Sequence, residues 1–290
     1  MAAQCTQGID TGFVTLGYAK VAFLGVVQGF SELMPISSTA HMRVVPAVLG
    51  WRDPGSAFSA AMQMAALAAV ISYFWRDVRL LAVGSAQAVA RRDYADSQLR
   101  MLIRIALATI PILIGGVLLS KLLNQCNSPL RTLPAIGWAC LVMAVFLALA
   151  ELLARHRRTM AQSTLVDALI VGVAQVGALL PGVSRSGSTL TAALGLGFKR
   201  EEAARFSFLL GLPAIAAAGL KELYELHHAH LDMHGWSVLA VGLIVGSISA
   251  FVAIWALMRV LERYSAWPFV IYRAALGVFL LVGSARGLLV

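Results

Sequence analysis

Ser56–Trp75 and Trp236–Met258 carry no charge from end to end, and each matches the roughly 20 apolar residues that cross a hydrocarbon core. Thr132–Ala150 also qualifies, and Ile105–Ser120 does with flanking residues. Phe206–Leu220 and Trp267–Ala285 are weaker, the second because it carries Arg273. Only 13% of residues are charged, against about 25% in a soluble domain. The sequence therefore predicts an all-α integral membrane protein. No basic residue precedes Lys20, so the N-terminus lacks the n-region of a signal peptide.

The net charge of +9 does not point to nucleic acid, because the basic residues fall in loops between spans. The three cysteines, Cys5, Cys126 and Cys140, are odd in number and lack metal-ligand spacing, which argues against a disulfide framework or a zinc site. Cys140 lies inside a span as a small apolar residue.

The chain repeats itself at about half its length. Gly25, Val26 and Gln28 match Gly172, Val173 and Gln175 at a shift of 147, Pro35 and Ser38 match Pro181 and Ser184 at 146, and Phe58-Ser59 match Phe206-Ser207 at 148. In each half an apolar stretch broken by Pro, Ser and Gly (13–50 and 163–198) precedes three spans. These are placed near 56–75, 101–121 and 132–154, then near 202–221, 236–258 and 267–286. The broken stretches suit re-entrant helical hairpins, whose irregular backbone must be buried in protein. Three crossings per half invert the second half relative to the first. The expectation is thus a single membrane domain over 1–290, built of two inverted repeats, about 10–155 and 160–290, with six spans in total. Leu80–Val89 is too short to span and reads as an interfacial helix.

With the N-terminus outside, fourteen basic residues fall in inside loops and five (Arg52, Lys121, Arg131, Lys221 and Arg286) outside. That bias agrees with the positive-inside rule. The first hairpin then opens to the periplasm, the second to the cytoplasm, and their tips can meet near the midplane, where transporters with inverted repeats build their sites.

The tips carry the chemistry. In "QGFSELMPISSTAH" (Gln28–His41), Gln28 and Glu32 share a helix face, and an ionised Glu at membrane depth needs a wet or polar cavity. Pro35 ends the helix, and Ser37, Ser38 and Thr39 stand where they could cap the next. His41 follows Ser38 by three residues and Ser37 by four, so in a helix beginning there it shares their face, and a serine with a histidine at that spacing is a candidate nucleophile–base pair. The second tip, "PGVSRSGST" (Pro181–Thr189), offers Ser184, Ser186, Ser188, Thr189 and one cation, Arg185. A helix starting there presents free N–H groups to a phosphate, and the Arg fork binds phosphate oxygens bidentately. Together the tips read as phosphoryl transfer or hydrolysis. A water-soluble phosphate needs no midplane site, whereas a lipid phosphate does.

These segments resemble the signatures of the bacterial undecaprenyl-pyrophosphate phosphatase (bacitracin-resistance) family. The resemblance rests on Gln28, Glu32 and "PISSTAH" in the first tip, "PGVSRS" in the second, and "FSFLLGLP" (Phe206–Pro213). It covers nearly the whole chain and implies hydrolysis of undecaprenyl pyrophosphate to the monophosphate carrier lipid in the bacterial inner membrane, at a site reached from the periplasm. It implies a divalent cation, Mg²⁺ or Ca²⁺, with Glu32 as its candidate ligand. Carried over by motif position, Glu32, Ser38, His41 and Arg185 are the candidate catalytic residues. Gln28, Ser37, Thr39, Ser184, Ser186 and Thr189 would line the head-group site. Two positions depart from the family: Gln28 stands where many relatives have Glu, which removes one carboxylate, and Ala40 replaces a frequent Gly.

Ser38, His41 and an activated water all remain open as the nucleophile. The partners expected are the lipid pyrophosphate and the bilayer, with a homodimer also compatible and no nucleic acid. The rival class is an alternating-access transporter or flippase of an anionic lipid or solute, which needs binding groups but no Ser–His pair.

Overall fold

In the computed structural model, residues 11–123, 129–228 and 230–287 are described; Cys5, Cys126 and the Lys121 side chain lie outside the described set. The described chain is helical, with one isolated β-bridge between Arg158 and Phe198. Its α-helices are α1 (Gly17–Leu33), α2 (Ser38–Val48), α3 (Ser56–Ala61), α4 (Gln63–Tyr73), α5 (Trp75–Ala90), α6 (Ser97–Leu123), α7 (Leu133–Leu153), α8 (Leu165–Val176), α9 (Arg185–Gly195), α10 (Arg200–His228), α11 (Met233–Arg263) and α12 (Trp267–Ala285).

Among the described residues, six stretches are long and apolar enough to cross a membrane: Gly12–Leu33, Ser97–Leu119, Leu133–Leu153, Arg200–His228, Met233–Arg263 and Trp267–Ala285. This makes the protein multi-pass. Five coincide with expected spans, but the sixth does not. The stretch expected to span at 56–75 runs as α3 and α4, continuous through a helical Met62 (φ −63°, ψ −12°), and at Phe74 the chain bends by 81° into α5. The first broken stretch, in turn, holds a helical run of span length, Gly12–Leu33. Uncharged length in a sequence does not reveal bends. Leu80–Val89 lies within α5, which exposes Leu80, Val83 and Val89.

Close backbone approach fixes the packing that positions the site. Gly25 and Gly29 of α1 face Gly242 and Gly246 of α11; a Cβ on Gly25 would lie 2.8 Å from the Gly242 carbonyl oxygen. Both pairs are G-x-x-x-G, the spacing that lets membrane helices touch along their backbones. Gly172 of α8 meets Ala108 of α6 in the same way. At the base of the second broken stretch, Thr164 caps α8 in a capping box with Asp167, and Arg158 grips that carboxylate at 2.5 Å. Arg200–Glu151 (2.5 Å) and Arg205–Asp77 are further pairs around it.

Two loops interrupt the helices at the core. Before Pro35, Met34 is extended (φ −78°, ψ 149°), as a residue preceding proline prefers, and α1 stops there. Ser37 then takes φ 71° and caps α2 by accepting from the Ala40 N–H. Ser184, 147 residues later, takes φ 72° and caps α9 by accepting from the Gly187 N–H. A positive φ on serine costs about 1–3 kcal/mol and is kept where surrounding structure enforces it.

Candidate active site

The loop 34–37 delivers Glu32 from the end of α1 and Ser38 from the start of α2 into one buried cluster. The Ser38 hydroxyl donates to Glu32 Oε2 at 2.6 Å, and Gln28 Nε2 donates to the same oxygen at 3.0 Å. Gln63 of α4 donates to Oε1 at 3.2 Å. From the other loop, Arg185 Nη2 approaches Oε1 at 3.6 Å, with its side chain 9% exposed and that of Glu32 5%. None of the three Arg185 nitrogens has a hydrogen-bond partner among the described residues, and neither does Gln28 Oε1. The result is a buried carboxylate ringed by donors beside a cation with unused hydrogen-bonding capacity. Such a cation suits an anion seated against it, because buried donors left unpaired are costly.

Room for Arg185 comes from α10: a Cβ on Gly211 would collide with the guanidinium. Gly211 lies in "FSFLLGLP", so that segment's part in the site is a physical one.

The remaining candidates divide. Ser186 lies between Met34 O (2.9 Å) and Glu32 O (3.1 Å), sharing its one proton between carbonyls of the opposite loop, while Ser184 contacts it at 3.2 Å. These serines join the loops. Ser37 is fully buried as the α2 cap. Thr189 donates to the Arg185 carbonyl at 2.8 Å and bonds Ser207, tying α9 to α10. Thr39 is exposed. His41 donates from Nδ1 to the Ser37 carbonyl at 2.7 Å, because a carbonyl only accepts. In the neutral imidazole Nε2 then holds the lone pair and accepts from the Tyr272 hydroxyl at 2.6 Å, with the two rings stacked. Ser38 thus bonds Glu32, and the His41 ring bonds Tyr272.

Three contributors escaped the sequence reading as site residues. Gln63 was a polar residue inside an uncharged segment, a signal that was present. Arg273 of α12, fully buried, donates to both loops, and an arginine inside a span is itself a functional flag. Tyr272 left no signal, since an aromatic in a span is ordinary.

A divalent cation does not fit this cluster as a ligand held by the protein alone. Both Glu32 oxygens already accept from donors, and no group of three or more His, Cys, Asp or Glu residues among those described could hold a metal.

The family model described as bacitracin resistance protein BacA matches residues 21–279. "Undecaprenyl-diphosphatase 2" of Mesorhizobium japonicum is 74% identical over 261 residues, covering 90% of this chain and 99% of that protein. "Undecaprenyl-diphosphatase" of Synechococcus elongatus is 49% identical over 267 residues, covering 92% and 93%. The protein of the same name in Gloeobacter violaceus is 45% identical over 274 residues, covering 94% of each chain.

Proposed function

We propose a lipid-pyrophosphate phosphatase on one premise: the chain belongs to the bacitracin resistance protein BacA family. Its reaction is hydrolysis of undecaprenyl pyrophosphate to undecaprenyl phosphate and inorganic phosphate, which recycles the carrier lipid for cell-wall synthesis. The observation that carries the chemistry is the Ser38–Glu32 hydrogen bond of 2.6 Å beside a buried Arg185 whose guanidinium, 3.6 Å from Glu32, has no hydrogen-bond partner among the described residues.

In the mechanism, Arg185 holds the terminal phosphate and offsets its developing charge. Ser38 Oγ attacks the terminal phosphorus and passes its proton to Glu32. The bond from that phosphorus to the bridging oxygen breaks, and the lipid phosphate leaves as a stable anion that needs no proton. Water then attacks the phosphoserine, the Ser38 O–P bond breaks, inorganic phosphate leaves with both protons of that water, and Glu32 returns the proton to Ser38. Gln28 and Gln63 hold the carboxylate in place throughout. His41, with Nε2 occupied by Tyr272, is the weaker candidate for the nucleophile. The Mg²⁺ or Ca²⁺ implied by the family resemblance would be held mostly by substrate phosphates and water, where it would offset phosphate charge, and no step above depends on it.

The inverted repeat with two re-entrant hairpins is part of the proposal. It is supported by the matched strained caps Ser37 and Ser184. Exchange-related packing supports it too: α1 on α11 mirrors α8 on α6, and α4 on α11 mirrors α10 on α6. The proposal also places the protein in the bacterial inner membrane with its site open to the periplasm, an orientation supported by the charge bias of the loops.

The test is phosphate release from a C15 or C55 isoprenyl pyrophosphate by purified protein in detergent, with Ser38→Ala and Arg185→Ala alongside. Release by the wild type that is lost in both variants supports the reading. No release under any divalent cation refutes it and favours a transporter of anionic lipid. A cysteine at the exposed Thr39 position, labelled from outside by an impermeant maleimide, checks the orientation.

A further inference from the structure

Arg273 is 1% exposed, one of the largest fully buried side chains in the protein. No carboxylate lies within ion-pair distance of it among the described residues. A buried charge without a counterion is expensive, so its surroundings must explain it. They consist of backbone carbonyls. Nη1 donates to Pro35 O at 3.1 Å, and Nη2 donates to Gly182 O at 2.8 Å and Val183 O at 3.0 Å. Pro35 belongs to the loop that ends α1, three residues before Ser38. Gly182 and Val183 belong to the loop before α9, with Val183 two residues before Arg185. A third helix, α12, thus reaches the two catalytic loops with one planar fork.

The residue type fits the task. Irregular loops leave carbonyls that no helix satisfies, and buried ones need partners. Guanidinium presents five donors in a fixed plane, whereas an ammonium is a point charge on a flexible stem. Packing holds the fork in place: a Cβ on Gly187, in the first turn of α9, would lie 2.7 Å from Arg273 Nη1. A second clasp, from Ser186 at the start of α9 to Met34 O and to Glu32 O at the end of α1, joins the same two segments directly. Arg273 ties them to a spanning helix.

We propose that Arg273 is a positioning residue of the phosphatase site, setting the separation between the loop that carries Ser38 and the loop that carries Arg185. The inference rests on the phosphatase reading above. All its described hydrogen bonds go to those two loops, so its loss lets the nucleophile and the phosphate-holding cation drift relative to each other. Misplacement by about 1 Å costs about 100-fold in rate. Phosphate still docks on Arg185, so the loss appears in kcat and not in KM.

The experiment measures kcat and KM for isoprenyl pyrophosphate in detergent for wild type, Arg273→Gln, Arg273→Lys and Gly187→Ala. Size-exclusion profile and tryptophan melting report the folded fraction of each. The expected result for Arg273→Gln is a kcat about 100-fold lower with KM within about threefold, and Arg273→Lys falls between it and wild type. Gly187→Ala keeps the arginine but displaces Nη1, and shows the same split at about tenfold. It keeps the question answerable if Arg273→Gln fails to fold. A folded Arg273→Gln with wild-type kcat overturns the inference, as does a normal Gly187→Ala or a kcat loss that only tracks lost folded protein. Those outcomes leave the phosphatase reading intact when wild type releases phosphate. Failure of wild type to release phosphate overturns both.

Discussion

Replacing Arg185 by Met removes a cation held 3.6 Å from Glu32 while keeping an unbranched chain to fill its place beside Gly211. Opposite unit charges at that range attract by about 5 kcal/mol at an effective dielectric of about 20. A terminal phosphate seated at comparable range loses an interaction of that order. The hydroxyls and amides that remain recover part of it, leaving about 3–4 kcal/mol, or about 10²–10³-fold in kcat/KM. Stability responds differently. Breaking a buried pair costs about 3–5 kcal/mol when the survivor is stranded. Here Glu32 keeps three donors, from Gln28, Ser38 and Gln63, so the loss sits at the lower end and the variant stays folded. Phosphate release under subsaturating substrate reads the first quantity, and tryptophan melting in the same detergent reads the second. Arg185→Lys, which keeps the charge and loses the fork, should fall in between. A folded Arg185→Met within tenfold of wild type would refute the charge argument and, with it, the placement of the phosphate.

Ser38→Ala should lower kcat by about 10³-fold or more and abolish the rapid labelling of the protein by terminally ³²P-labelled substrate; a labelled Ser38→Ala would move the nucleophile elsewhere. Tyr272→Phe keeps the ring stacked on His41 and removes one hydrogen bond, worth about 1 kcal/mol or about fivefold in rate, so a 100-fold loss would place the phenol in the chemistry. Gln28→Glu sets a second carboxylate beside Glu32. Manganese titration followed by electron paramagnetic resonance should then show binding below about 1 mM in the variant alone when no substrate is present. Gly29→Val pushes a branched side chain into the α11 backbone at Gly246 and Ala250. It should cost about 1–3 kcal/mol or more, read as a lowered melting midpoint and folded yield.

The chemistry-bearing residues were legible because membrane segments are otherwise apolar: Glu32, Arg185 and the hydroxyls stand out against that background. Their pairing was not legible. The i, i+3 spacing joined Ser38 to His41, yet local spacing says nothing about the φ of 71° at Ser37. In the structure the Ser37 carbonyl takes the His41 Nδ1 proton, while the Ser38 hydroxyl bonds Glu32. The matched caps also set the relation between the loops at 147 residues, pairing Ser184 with Ser37, whereas the residue pattern alone pairs Ser184 with Ser38. Spans were legible as apolar length, but the bend at Phe74 came from packing that hydropathy does not encode.

By itself, then, the sequence determined that this chain lives in a bilayer, that it breaks twice at proline, serine and glycine, and that those breaks carry an acid and a base of opposite charge. These are local properties, set by transfer free energy, backbone chemistry and residue type. Only the tertiary structure decided that Gln63, 31 residues from Glu32, completes its donors, and that Arg273, 238 residues from Pro35, ties the loops together. Contacts at that separation depend on how helices cross, and the crossings are set by glycine faces such as Gly25–Gly29 on Gly242–Gly246, whose partners no single segment can name.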